Sequence, residues 1–200
     1  IYRLWQAPFN HQKVAPVREY EHLWRGKSVL DIGCGPGINV GLFESASRYV
    51  GIDVNEDYVM SAASRHKERE FFCHDALTTF PDQCQPELIF CSSLLHHFND
   101  SEVEKFFCTV QRLTIQPVPF ILVDLVLPER VSLAHGLAKA DRGSFARSID
   151  NWKNLLSPSL EIELLRPFTI NRWGFRLWEL FILVGMTKEH GCNELSPIEA

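Results

Sequence analysis

Two hundred residues, 46% hydrophobic and 22% charged, fit one ordered domain with a sizeable core. The net charge of −5, with no basic cluster longer than Arg65-His66-Lys67, argues against a chain that wraps nucleic acid. No apolar run reaches transmembrane length, no signal-peptide pattern is visible, and no Cys-x-x-Cys spacing suggests zinc, so neither a membrane partner nor a metal is expected.

In chain order, residues 1–27 read as an N-terminal helical cover rich in aromatics: Tyr2, Trp5, Phe9, Tyr20 and Trp24. A first strand is predicted at Ser28–Ile32 and a helix from Ile38 to about Ser47. Tyr49–Val54 is the second strand, and Asn55-Glu56-Asp57 can cap a helix running to Lys67. Glu70–His74 is the third strand and Pro86–Ser92 the fourth. Asp100 or Ser101 caps a helix to about Leu113. Phe120–Leu125 is the fifth strand. Residues 128–158 carry two short helical patterns split near Gly143. Glu161–Pro167 and Trp178–Met186 are strands six and seven, and 191–200 is a tail. This alternation predicts an α/β fold: a doubly wound sheet of seven strands, mostly parallel, with an antiparallel last strand. The six cysteines fall largely in apolar runs, as buried thiols do, which suggests a reduced, cytoplasmic protein.

The most informative run is Val29-Leu30-Asp31-Ile32-Gly33-Cys34-Gly35-Pro36-Gly37. Gly33, Gly35 and Gly37 end a buried strand in a turn where a ligand can touch bare backbone. Asp31 lies inside the apolar run, where a carboxylate is costly unless something pairs with it. A dinucleotide fingerprint would need a third glycine at position 38, which is Ile38, and Pro36 removes an amide donor. Asp31 would repel a pyrophosphate and attract an ammonium. S-adenosylmethionine carries an ammonium and a sulfonium and no phosphate, so the pattern suits it better than NAD. The run resembles motif I of the class I S-adenosylmethionine-dependent methyltransferases, whose fold is Rossmann-like.

Other residues extend the resemblance over Ser28–Leu125. Asp53 closes the second strand, where a carboxylate can accept from both hydroxyls of a ribose. The resemblance implies that Asp75 accepts from the adenine amino group and that the Ala76 amide addresses a ring nitrogen. Val54 and Ser92 complete the expected cofactor contacts. Ser92-Ser93-Leu94-Leu95-His96-His97-Phe98 follows strand four, beyond which ligands bind in open α/β sheets. His97 and then His96 are the candidate general bases, since imidazole titrates near neutrality. Similar Leu-His-His runs are common in small-molecule methyltransferases. Asp124, at the end of strand five, is a candidate substrate contact or base.

The chain lacks both the Asp/Asn-Pro-Pro-aromatic run of enzymes that methylate base amines and the Pro-Cys of cytosine C5 enzymes. The family often builds a substrate lid where this chain has its insert at about 128–158. If the insert's Arg142 and Arg147 face the pocket, the acceptor is anionic. Tyr2 and Trp5 are expected to close the opposite wall. The usual Leu-x-Pro-Gly-Gly turn before strand five is replaced by Leu113-Thr114-Ile115-Gln116-Pro117-Val118-Pro119. The expected function is methyl transfer from S-adenosylmethionine to a small molecule. A non-catalytic cofactor-binding subunit and an NAD-dependent oxidoreductase are the alternatives.

Overall fold

The computed structural model describes residues 9–78, 80–81, 84–114, 116–128, 145–172 and 175–189. Strand β1 (Ser28–Ile32) shows how the sheet is built. Alternate side chains point to opposite faces, so Leu30 and Ile32 enter one apolar layer while Val29 and Asp31 enter the other. All four are buried, as in a strand covered on both sides. Parallel neighbours follow: β2 (Arg48–Asp53), β3 (Glu70–Cys73), β4 (Leu88–Ser92) and β5 (Pro119–Leu125). β6 (Leu160–Arg172) and β7 (Phe175–Thr187) form a long hairpin, and β7 pairs antiparallel with both β5 and β6. The order is β3-β2-β1-β4-β5-β7-β6, so the predicted seven-stranded α/β sheet with one antiparallel strand is what the chain forms.

Helices cover both faces. On one side α3 (Asp100–Leu113) buries Val103, Phe106, Phe107 and Val110, and α4 (Ile149–Leu156) buries Trp152 and Leu156. These helices pack on Leu30, Ile89, Phe120 and Phe181. On the other side α1 (Asn10–Arg18) sets Val14 and Val17 against Val29, Phe90 and Val123. Each such large side chain contributes about 1.5–3 kcal/mol of transfer free energy. α2 (Glu56–Arg65) is capped by Asn55, whose side chain accepts from Tyr58 N at 3.0 Å.

Several boundaries differ from expectation. The helix predicted over Ile38–Ser47 is only a 3-10 turn at Val40–Phe43. Gly41 and the β-branched Ile38 and Val40 weaken a helix there. The chain also turns back early: Gly26 N donates to Ser45 O and Ser47 N to Lys27 O, fixing the entry to β2. The α3 cap is Asn99, not Asp100 or Ser101; it forms a reciprocal capping box with Glu102. β6 and β7 run several residues past their predicted ends, because each supplies the other's hydrogen bonds beyond the end of β5.

α4 matches the second helical pattern of the insert. Residues 129–144, which hold Arg130, Lys139 and Arg142, lie outside the described residues, as do Tyr2, Trp5 and the tail. Cys34, Cys73, Cys84 and Cys91 are free thiols, whereas Cys108 is disulfide-bonded, contrary to the expectation of a reduced protein. Sequence spacing does not reveal which sulfurs meet in space. Among the described residues no helix is long and apolar enough to cross a membrane.

Candidate active site

The strand order reverses between β1 and β4, which opens a crevice at the carboxyl ends of the parallel strands. Of the glycine turn, Gly33 lines the cleft there, while Gly35 and Gly37 are not among its lining residues. Gly33 N and Cys34 N both donate to Ile52 O at 2.9 Å, which pins the turn to β2. Gly35 has a φ of +53° and Gly33 of +76°, in the left-handed region that a Cβ disfavours. The two differ in surroundings. A Cβ on Gly33 would stand 3.2 Å from Leu94, whereas one on Gly35 would meet nothing within 4 Å. Gly35 therefore faces open space that a ligand can fill. Gly37 packs against Ala62 of α2, and Arg65 donates to Pro36 O, so this end of the turn is fastened to the helix.

Asp53 stands beside the turn. Its Oδ2 accepts from Gly35 N at 2.8 Å and its Oδ1 from Asn55 N at 2.9 Å. Each oxygen keeps further acceptor capacity, so the carboxylate is oriented and still able to receive two hydroxyl groups. Gly33, Asp53, Val54, Asp75 and Ala76 of the predicted cofactor set line one cleft. Val54 is 71% exposed and contributes at the rim. Asp75 is held by Leu77 N, which donates to its Oδ1 at 2.9 Å.

The remaining walls are Ile52, His74, Leu94 and Phe98, which the sequence reading did not assign. Their signal was present only indirectly, as apolar residues flanking the acids and the His pair. Aliphatic and aromatic walls with carboxylates at the edge suit a nucleoside, whose base is flat and whose ribose carries two donors.

Asp31 and Ser92 do not line this cleft and are buried beside it. Tyr49 OH donates to Asp31 Oδ2 at 2.6 Å, while Asp31 Oδ1 and Ser92 Oγ have no partner. Burial pushes the Asp31 carboxyl up to about 7, against the Tyr49 hydrogen bond and the charge of Lys13, which lower it. Burial also pushes the Cys34 thiol up, helped by the charges of Asp31 and Asp53. The ground under the glycine turn is thus electronegative and holds unpaired acceptor capacity, a setting that suits a cationic ligand. The backbone beyond β4 is strained to reach it: Ser93 has a φ of +54°, and Ser93 N donates to Val123 O at 2.8 Å.

The His pair divides sharply. His96 is buried, and its Nδ1 lies 2.5 Å from Asp124 Oδ1. Asp124 also accepts from Leu95 N at 2.8 Å and Leu125 N at 2.7 Å. Burial alone would raise the Asp124 carboxyl; the His96 ring and these amides outweigh it and hold the group below the usual carboxylate range. Because Asp124 is an acceptor, His96 Nδ1 carries the proton and Nε2 is the basic nitrogen. His97 is exposed, its ring centroid 4.2 Å from that of His96.

Arg147 departs from expectation. Rather than serving an anionic acceptor, it pairs with Asp100 at 2.6 Å, donates to Phe98 O and Phe145 O, and stacks 4.7 Å above Trp152. Its donors are committed to holding the end of the insert against the start of α3. One of the two supports for an anionic acceptor is therefore lost.

This geometry gives an α/β domain with a cleft at its switch point, lined by apolar side chains and two carboxylates. Residues 29–116 match the family model described as "Methyltransferase domain". A ubiquinone biosynthesis O-methyltransferase of Coxiella burnetii is 29% identical over 112 residues, 49% of this chain and 47% of that protein. A trans-aconitate 2-methyltransferase of Variovorax paradoxus is 32% identical over 77 residues, 37% of this chain and 30% of that one. The chain thus spans about half the length, or less, of the curated relatives it matches. Among solved structures, YcgJ of Bacillus subtilis aligns over 90% of this chain and 100% of its own at a TM-score of 0.67 and 21% identity. Magnesium protoporphyrin IX methyltransferase of Synechocystis, solved with bound S-adenosylmethionine, aligns over 90% and 80% at a TM-score of 0.63 and 18% identity. Over residues 29–116 the chain is thus similar to methyltransferase domains, and its fold is that of the solved methyltransferase structures.

Proposed function

We propose that this domain binds S-adenosylmethionine and transfers its methyl group to a small-molecule acceptor. The observation that carries the reading is the meeting of three features at one switch point. These are a glycine turn open above Gly35, the twice-anchored Asp53 carboxylate, and the unpaired buried oxygen of Asp31. In this reading Asp53 receives the ribose hydroxyls. Asp75 and the Ala76 amide address the adenine edge between Ile52, Leu94 and Phe98. Asp31 faces the ammonium, Ser92 offers a hydroxyl nearby, and Val54 covers the ribose at the rim. The bound cofactor supplies an electrophilic methyl on a sulfonium. The protein's contribution is orientation, exclusion of water and, for an acceptor that must lose a proton, a base.

We assign that base to His96 ahead of His97, because Asp124 fixes the His96 ring and would stabilise the imidazolium that forms. For the cytoplasmic location we expect, the free thiols of Cys34, Cys73, Cys84 and Cys91 count in favour and the Cys108 disulfide counts against. The reading is tested by incubating the full chain with methyl-labelled S-adenosylmethionine and a metabolite extract, and reading products by mass. Appearance of a labelled small molecule supports it. Tight binding of NADH, with none of S-adenosylmethionine or S-adenosylhomocysteine, overturns it.

A further inference from the structure

The candidate base sits on an element with little hold on itself. Leu95–His97 is a single 3-10 turn of three residues, a geometry whose own hydrogen bonds are poor, and it follows Ser93, whose φ of +54° is strained. Its position is set from outside. Asp124 provides one hold, through Leu95 N and His96 Nδ1. A second comes from residues 145–147, where the insert rejoins the sheet. Phe145 N donates to His96 O at 3.1 Å, and Arg147 Nη2 donates to Phe98 O at 2.8 Å. The same short segment is fastened to the exit of β5: Val126 and Arg147 form a parallel bridge, and Leu127 N donates to Arg147 O at 2.8 Å. It therefore joins the two stretches that carry His96 and Asp124. Phe98, whose carbonyl Arg147 binds, also lines the cleft beside Leu94 and Ala76. Arginine is rarely buried unless partners answer its charge. Arg147 is only 8% exposed, and its donors are spread over Asp100 Oδ1, Phe145 O and Phe98 O. A planar guanidinium fixes the angles between such bonds, which a flexible ammonium does not.

We propose that Arg147 is a positioning residue for methyl transfer: it holds the turn after β4 so that His96 stays against Asp124 and Phe98 stays in the cleft wall. The inference rests on the cofactor and base readings above and adds to them a residue outside the cleft lining. Arg147 acts through the backbone of its neighbours. Without its fork the carbonyl of Phe98 loses its tether, the short turn is free to shift, and the His96 ring no longer keeps one geometry toward Asp124.

The test compares Arg147→Ala with Val184→Ala, a core truncation in β7 that lowers stability away from the cleft lining. Both are studied as full chains at a temperature where circular dichroism shows them folded. Two readouts are used that a loss of stability alone does not move. One is affinity for S-adenosylhomocysteine by calorimetry. The other is the proton resonance of His96 Nδ1, identified by its absence in His96→Gln. Arg147→Ala should weaken S-adenosylhomocysteine binding by about threefold or more, and should broaden or erase the His96 resonance through exchange with water. Val184→Ala should leave both as in wild type. Arg147→Lys, which keeps the cation and loses the fork, should show both changes in smaller degree, and it decides if Arg147→Ala does not fold. Either readout unchanged in the Arg147 variants, or moved equally by Val184→Ala, overturns the proposal. A wild type that binds no S-adenosylhomocysteine fails the cofactor reading, and one without a His96 Nδ1 resonance fails the base reading. Each of these takes the proposal with it, and the wild type alone tells them apart from the failure of Arg147.

Discussion

At the residue scale, Asp53 joins the glycine turn to the proposed ribose site. Asp53→Ala should weaken S-adenosylhomocysteine binding by about 1–3 kcal/mol, measured by calorimetry, because ribose hydroxyls and the Gly35 and Asn55 amides lose their acceptor together. Asp31 gives a pH signature. Its folded-state carboxyl is raised from 3.8 to about 7, so its contribution to stability is fully present below the lower value and is lost as pH rises through the upper one. A bound ammonium favours the ionised form. Binding at pH 6 should therefore release a proton, and affinity should fall as pH drops below about 7. Binding enthalpies in buffers of different ionisation heat would register that proton, and Asp31→Asn should abolish it. Asp124→Asn tests the His96 assignment. Once an acceptor is known, it should lower kcat by about a hundredfold or more and leave cofactor affinity nearly unchanged. An unaltered kcat in a folded variant would return the pair to a purely structural role.

At the scale of elements, Arg147 decides how the insert rejoins the sheet. It ties Phe145 and Phe98 to the first turn of α3 and lies over Trp152 of α4. The Asp100 side chain is 74% exposed, so the ion pair itself contributes little. Arg147→Ala should still cost about 1–3 kcal/mol of stability, seen as a lower Tm, through two unpaired carbonyls and the lost stacking. α3 was legible in the sequence because Val103, Phe106, Phe107 and Val110 recur at helical spacing and face one layer. The segment 38–47 was not. Its Val40, Leu42, Phe43 and Ala46 are buried too, yet hydrogen bonds from the turn before β1 stop the helix, and no local pattern encodes those.

At the scale of the whole molecule, the sheet closes through β7, which must fit between β5 and a β6 that shifts register between Ile162 and Leu164. Gly185 sits opposite that shift. A Cβ there would lie 2.3 Å from Glu161 O, a contact with backbone that no side chain can relieve. Gly185→Ala should destabilise the protein by about 1–3 kcal/mol or more in urea unfolding, without touching the cleft directly.

The sequence alone determined the strand alternation, the glycine turn and the placement of Asp53 and Asp75 at strand ends. These are short-range properties: periodicity, turn chemistry, and the rule that ligands sit beyond the carboxyl ends of parallel strands. Only the tertiary structure decided which histidine is oriented, because Asp124 stands 28 residues from His96 and reaches it only once β5 pairs with β4. The same holds for Arg147, which meets Asp100 across 47 residues, and for Asp31, whose Tyr49 partner arrives on β2 and which feels the charge of Lys13 on α1. A side chain's chemistry is written in its own letter, but its partner is fixed by packing, which brings distant parts of the chain to one place.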